Sequence, residues 1–179
     1  MLDHHGADYE SPNACVINNQ LCNYPTKSLS GVGIVYKFCS YIDSLAGTDY
    51  ADDYLDLVSL GLIADVMDTR DFETQHYIQQ GLKQVRNPLL KALIDRDGMH
   101  FKSSDVPLMN SVAWYVAPLI NAVTRVGSEN EKRIVFEAML EFKAYTEIPS
   151  TKRGCKGMME TLVEQACRTA TTVKNHQDD

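Results

Sequence analysis

The sequence predicts a helix-rich α/β chain, and three observations lead there. Along most of the 179-residue chain, apolar side chains recur at three- and four-residue steps, the period of one helix face. Only one short run, Ala14-Cys15-Val16-Ile17-Asn18, reads as a strand. Composition is that of a folded domain, with 44% hydrophobic and 23% charged residues.

The elements follow in order. After the strand, residues 19–27 read as loop, and Ser28 or Ser30 opens a helix that Gly47 stops. Within it Val32, Val35, Phe38, Cys39, Ile42, Leu45 and Ala46 form a broad face expected to meet the core. A second helix starts near Asp52 or Asp53, whose charges suit a helix N-terminus. Its stripe runs Leu55, Val58, Leu62, Asp65, Val66. A third spans about Asp71 to Asn87 and ends at Pro88, and Leu89 to Asp95 forms a short fourth. Asp97-Gly98 reads as a turn and Ser103 to Pro107 as loop. Residues 110–125 are apolar around Trp114, with Pro118 breaking the helical register. Ser128 followed by Glu131 is a capping box, opening a helix through Phe142. Pro149 to Gly157 reads as a linker, and Met158 to Val173 as the last helix.

Charge and cysteine usage narrow the function classes. The net charge is −7, so a broadly basic nucleic-acid coat is unexpected. Residues 1–142 hold 11 Lys and Arg against 19 Asp and Glu, whereas residues 143–179 hold 6 against 5. The five cysteines form no CxxC pair, which points to reduced thiols in a cytoplasmic setting and away from a disulfide framework. No apolar run is long enough to span a membrane, and no signal peptide is visible in residues 1–30.

Five groups carry possible chemistry. In Asp3-His4-His5, imidazole ligates divalent metals and an adjacent carboxylate orients the ring; a solvated terminal pair is the plainer reading. Asp65 shares the core stripe of its helix, where a lone carboxylate needs a partner or a cation; a helix-end Asp is the alternative. Gly61, one turn earlier, leaves room for a close approach. Gly31 and Gly33 open a helix whose N–H groups can meet phosphate, or they serve helix packing. Asn121 and Arg125 lie one turn apart, and Arg125 can fork onto phosphate or stand as a surface charge. Lys152, Arg153 and Lys156 form a basic cluster, either solvated or on a nucleic-acid backbone.

Taken in order, Leu-Asp-His-His at 2–5, Ala14 to Asn18, Leu29-Ser30-Gly31-Val32-Gly33, Leu60-Gly61-Leu62-Ile63-Ala64-Asp65-Val66 and Leu119 to Arg125 resemble the DHH phosphoesterase superfamily. Within it the likeness is to the RecJ-type single-strand-specific exonucleases. The resemblance implies the helix-rich C-terminal part of a Rossmann-like DHH domain, over residues 1–110, an end segment facing substrate over 111–148, and a linker with a connecting helix over 149–179. It also implies roles. His4 and Asp65 would ligate Mn²⁺ or Mg²⁺ in a two-metal site, and His5 would meet the scissile phosphate or metal-bound water, with Asp3 orienting the pair. Gly31 and Gly33 would allow close approach, and Asn121 and Arg125 would face a single strand of DNA. Val123 and Thr124 stand where the family has Ala and Gly.

The family's Asp-x-Asp strands precede its DHH motif, and this sequence begins at the motif. The family's Gly-Gly-His segment has no counterpart, since no Gly-Gly pair occurs. The expectation is therefore a fragment of a 5′→3′ single-stranded-DNA exonuclease of DNA repair and recombination, inactive or weakly active alone. A partner chain would supply the missing carboxylates. Two other functions fit the motifs: a DHH phosphoesterase of short oligonucleotides or cyclic dinucleotides, and a non-catalytic nucleic-acid-binding remnant.

Overall fold

The computed structural model describes residues 1–6, 12–96, 109–155 and 157–178. The turn expected at Asp97-Gly98, the loop from Ser103 to Pro107 and Lys156 lie outside them. The chain divides into two compact units, Met1–Gln84 and Val85–Asp179.

In the first unit, β1 (Leu2–Asp3) pairs in parallel with β2 (Ile17–Asn18), Leu2 opposite Ile17 and Asp3 opposite Asn18. The expected strand is thus reduced to its last two residues. Helix α1 (Gly31–Ala46) starts after Ser30 and ends at Gly47, whose φ of 69° supplies the left-handed cap. A 3₁₀ turn (Tyr50–Tyr54) leads into α2 (Leu55–Ala64), and α3 (Phe72–Lys83) returns against it. Asp71 caps α3 by accepting from the backbone N–H of Glu73 and Thr74. The core is built on Leu29, Ile34, Val58, Leu62, Ile78 and Leu82.

Two glycines set how closely these helices approach. A Cβ on Gly61 would run into Val32 Cγ1, so the space at Gly61 is filled by α1 and not by a ligand. A Cβ on Gly81 would collide with Ser59 Oγ and with the Leu55 carbonyl. Ser59 Oγ lies 2.9 to 3.2 Å from the carbonyls of Leu55, Tyr77 and Ile78, stitching α2 to α3.

Two expectations are corrected here. The apolar face of α1 does not meet the core: Val35, Phe38, Ile42 and Leu45 are all exposed, and only Gly33 and Ile34 of this helix are buried. Two strands of two residues each give that face no sheet layer to lie on. Asp65 and Val66 also leave the buried stripe, because α2 ends at Ala64. The end is a Schellman turn: Val66 N–H bonds the Ile63 carbonyl and Met67 N–H the Leu62 carbonyl. Val66 takes the left-handed position, φ 54°, that glycine ordinarily fills.

A β-branched residue there is strained by about 1–2 kcal/mol, and Val66, at 85% exposure, recovers little by burial. Val66→Asn should therefore stabilise the first unit by roughly 1 kcal/mol. The measurement is the urea midpoint followed by circular dichroism; a midpoint that falls would contradict the strain argument.

In the second unit, Asn87 caps α4 (Pro88–Arg96), its Oδ1 accepting from Leu89 and Leu90 N–H. α5 (Met109–Ser111) runs through a π turn (Val112–Val116) into α6 (Ala117–Val126). Pro118 explains the π turn. In α register its ring would meet the Trp114 carbonyl and offer it no N–H, and the chain widens instead, Ala117 N–H reaching the Val112 carbonyl.

The capping box of Ser128 and Glu131 opens α7 (Glu129–Met139). That helix stops short of Phe142, because Leu140 is extended and α8 (Glu141–Ala144) begins anew. The Met139 carbonyl freed at the break accepts from Asn87 Nδ2 at 2.9 Å. The expected linker is the connection of a hairpin, β3 (Glu147–Pro149) antiparallel to β4 (Met159–Thr161), with Gly154 and Gly157 in left-handed turns; β4 takes the first residues of the expected last helix, which begins only at Leu162. α9 (Leu162–Asp178) closes the unit. Ala166 and Ala170, fully buried, leave room for close helix contact, with Val123, Val135 and Val173 alongside in the core. No helix among the described residues is long and apolar enough to cross a membrane.

Candidate active-site residues

The Asp3-His4-His5 segment is a built turn. Asp3 Oδ1 accepts the backbone N–H of His4 at 2.8 Å and of His5 at 3.4 Å, and contacts His5 Nδ1 at 2.8 Å. These bonds hold the Asp3 carboxyl below the usual carboxylate range, the His5 side chain first and the His4 N–H second. Buried Asn18, on the neighbouring strand, donates to the His5 carbonyl at 2.9 Å. The parallel register of β1 and β2 thereby fixes the turn.

The His4 and His5 rings tilt against each other with centroids 4.2 Å apart. Because Nδ1 of His5 is engaged by Asp3, its Nε2 is left to meet a ligand, and the side chain is 76% exposed.

His4 also lies against the start of α1, its Cδ2 3.7 Å from where a Gly31 Cβ would stand. The first turn of α1 has no acidic residue, and Ser30 at the cap makes no side-chain cap bond. Its N–H groups therefore carry the positive end of the helix without a carboxylate from its own first turn. Gly33 is different: it is buried, and a Cβ there would press on Leu29 at 3.3 Å.

Asp65 is the exposed C-cap residue of α2. Among the described residues, no three His, Cys, Asp or Glu side chains converge so as to hold a metal ion. The donors among the described residues thus fall short of a complete divalent-cation site. Asn121 and Arg125 belong to α6 of the second unit, Asn121 half-buried and Arg125 exposed in the last turn. A cation there also suits the negative end of the helix.

Sequence patterning did not single out the polar cluster behind this region. Glu73 accepts from Tyr24 Oη at 2.7 Å, Tyr77 Oη at 2.7 Å and Lys37 Nζ at 2.9 Å. The cluster pins the loop before α1 to α3. Burial pushes Glu73 up, but the bonds from Tyr77, Lys37 and Tyr24 outweigh it and bring its carboxyl to about 2. The signal available was Lys37 itself, a charge between the apolar residues Val35 and Phe38.

Because the carboxyl is depressed in the fold, it stabilises the fold above the ordinary carboxylate range and loses that contribution as pH falls toward 2. The first unit should therefore weaken between about pH 5 and 2. Glu73→Gln should cost about 2 kcal/mol at neutral pH and flatten that acid limb. Urea midpoints across pH check both; an unchanged acid limb in the variant would contradict the assignment.

No protein-family model matches the sequence. Over 155 residues, 86% of its length, the chain is 41% identical to the SPbeta prophage-derived protein of Bacillus subtilis named single-strand DNA-specific exonuclease YorK, and covers 26% of it. It is 35% identical over 134 residues to the single-stranded-DNA-specific exonuclease RecJ of Bacillus subtilis, and 31% over 147 residues to that of Escherichia coli. It covers 16% and 24% of these two proteins. The chain thus spans about a quarter or less of the relatives it matches. A crystal structure of exonuclease RecJ bound to manganese superposes with a TM-score of 0.76 at 18% identity, covering 99% of this chain and 40% of that one. The helix-rich fold described above is shared with that structure, and the chain is a RecJ-like member of the DHH phosphoesterase superfamily, matching its relatives over part of their length.

Proposed function

We propose that the chain is the histidine-bearing part of a single-strand-specific DNA exonuclease site, hydrolysing phosphodiester bonds from 5′ to 3′ and inactive or weakly active alone. The observation that carries this is the Asp3-His4-His5 turn, held by Asn18 and set beside the uncapped N-terminus of α1. A phosphate there would meet the N–H groups around Gly31, and His5 Nε2 would reach its oxygen or the attacking water. Gly33 contributes by letting Leu29 pack closely behind the turn.

His4 and Asp65 are the donors the described residues would bring to Mn²⁺ or Mg²⁺, with carboxylates outside them completing the set. A divalent cation held there would supply Lewis-acid polarisation of the phosphate and of the attacking water. Asp3 keeps His5 oriented, and Asn121 and Arg125 contact the strand. The five free thiols suit a reducing, cytoplasmic compartment.

Binding tests this reading before cleavage does. By anisotropy of a labelled oligonucleotide, the chain should prefer single-stranded to duplex DNA. Arg125→Ala should weaken binding and lower the slope of log affinity against log salt by about one. Equal affinity for duplex, or an unchanged slope, would contradict it.

A further inference from the structure

The chain has a single tryptophan, and it stands in water. Trp114 is 76% exposed, although an indole is among the most favourable side chains to bury. Its position follows from the helix register. Val112, Val116, Leu119 and Val123 recur at steps of four, three and four and are all buried. Trp114, Pro118, Asn121 and Arg125 recur at the same steps two residues on and line the outer side. Trp114 and Arg125 are exposed there, with Pro118 and Asn121 half-buried between them. The π turn forced by Pro118 falls on Trp114 itself, in a kind of irregularity that often marks functional positions.

The stripe therefore offers an aromatic face, an amide and a guanidinium over roughly 16 Å, the reach of a few nucleotides. We propose that Trp114 is a base-stacking platform, and that a single strand of nucleic acid lies along it with a base on the indole and a phosphate on Arg125. This rests on the single-strand reading above and adds to it a residue and a mode of contact.

The chemistry favours a single strand over other occupants. Stacking on an exposed ring needs a base with a free face, which a duplex interior withholds. An apolar peptide would leave the Arg125 guanidinium without an anionic partner. The two polar residues and the ring are instead what an alternating base–phosphate chain requires.

The single indole makes the test direct, because all tryptophan emission comes from this position. The full chain is titrated with an oligothymidylate, following both oligonucleotide anisotropy and tryptophan emission. The expected result is quenching that saturates together with the anisotropy. Trp114→Ala should weaken binding about 5- to 150-fold, and Trp114→Phe should recover part of the loss. The salt slope should stay unchanged in both variants, since stacking releases no counterions. Because the side chain is exposed, both variants should keep the parent urea midpoint. Binding with unmoved emission and a Trp114→Ala affinity within twofold of the parent would overturn the stacking role while leaving the single-strand reading in place. Failure to bind any single strand would overturn both.

Discussion

Gly81→Ala should destabilise the first unit by about 3 kcal/mol or more. The added methyl would enter the closest contact between α2 and α3, against the Leu55 carbonyl and Ser59 Oγ. A flexible side chain can swing away from an intruding methyl, but the Leu55 carbonyl is backbone inside a helix and cannot. Ser59 is fully buried, and its hydroxyl sits among three carbonyls, so displacing it leaves a polar group without its partners. The helices must therefore separate, taking Val58, Leu62, Ile78 and Leu82 out of contact. Urea unfolding by circular dichroism reads this out; a cost below about 1 kcal/mol would contradict the close approach.

The largest expected effect on activity is at His4. Suppose the chain is pooled with a polypeptide spanning the preceding part of a relative such as YorK. In that mixture His4→Ala should lower the rate of mononucleotide release from single strands by at least about 100-fold. Affinity for the strand should change little, because the contacts assigned to Arg125 and Trp114 lie on another unit. Asp3→Asn should act more mildly, through orientation. It removes the charge that draws the Nδ1 proton of His5 while leaving an oxygen that can still accept it. Initial rates at saturating DNA separate the two. Equal losses in rate and affinity for His4→Ala would place His4 in strand binding instead.

What the residues alone disclosed follows a physical pattern. Features set by neighbours in sequence were legible: the Ser128–Glu131 capping box, the Gly47 stop and the register break at Pro118 are all where local chemistry puts them. The motif order was legible too, because the turn at Asp3 is made by the hydrogen bonds of adjacent residues.

Features set by distant segments were not. Periodicity gives α1 an apolar face but cannot say whether anything lies on it; Phe38 and Leu45 are exposed. Asp65 sits at the right spacing for burial, yet a single left-handed residue, Val66, ends the helix and turns it outward. Gly61 suggested an approach by something unnamed, and the structure supplies Val32. The hairpin over 147–161 escaped notice because its strands are three residues long, too short for alternation to register.

If this chain carries the histidine-bearing part of a nuclease site, as proposed, it should be inactive or weakly active alone. The direct measurement is release of mononucleotides from 5′-labelled single-stranded DNA by the chain in Mn²⁺, with and without EDTA. The expected result is no EDTA-sensitive release from the chain alone, and its appearance once the carboxylate-bearing polypeptide is added. Robust, EDTA-sensitive release by the chain alone would contradict it.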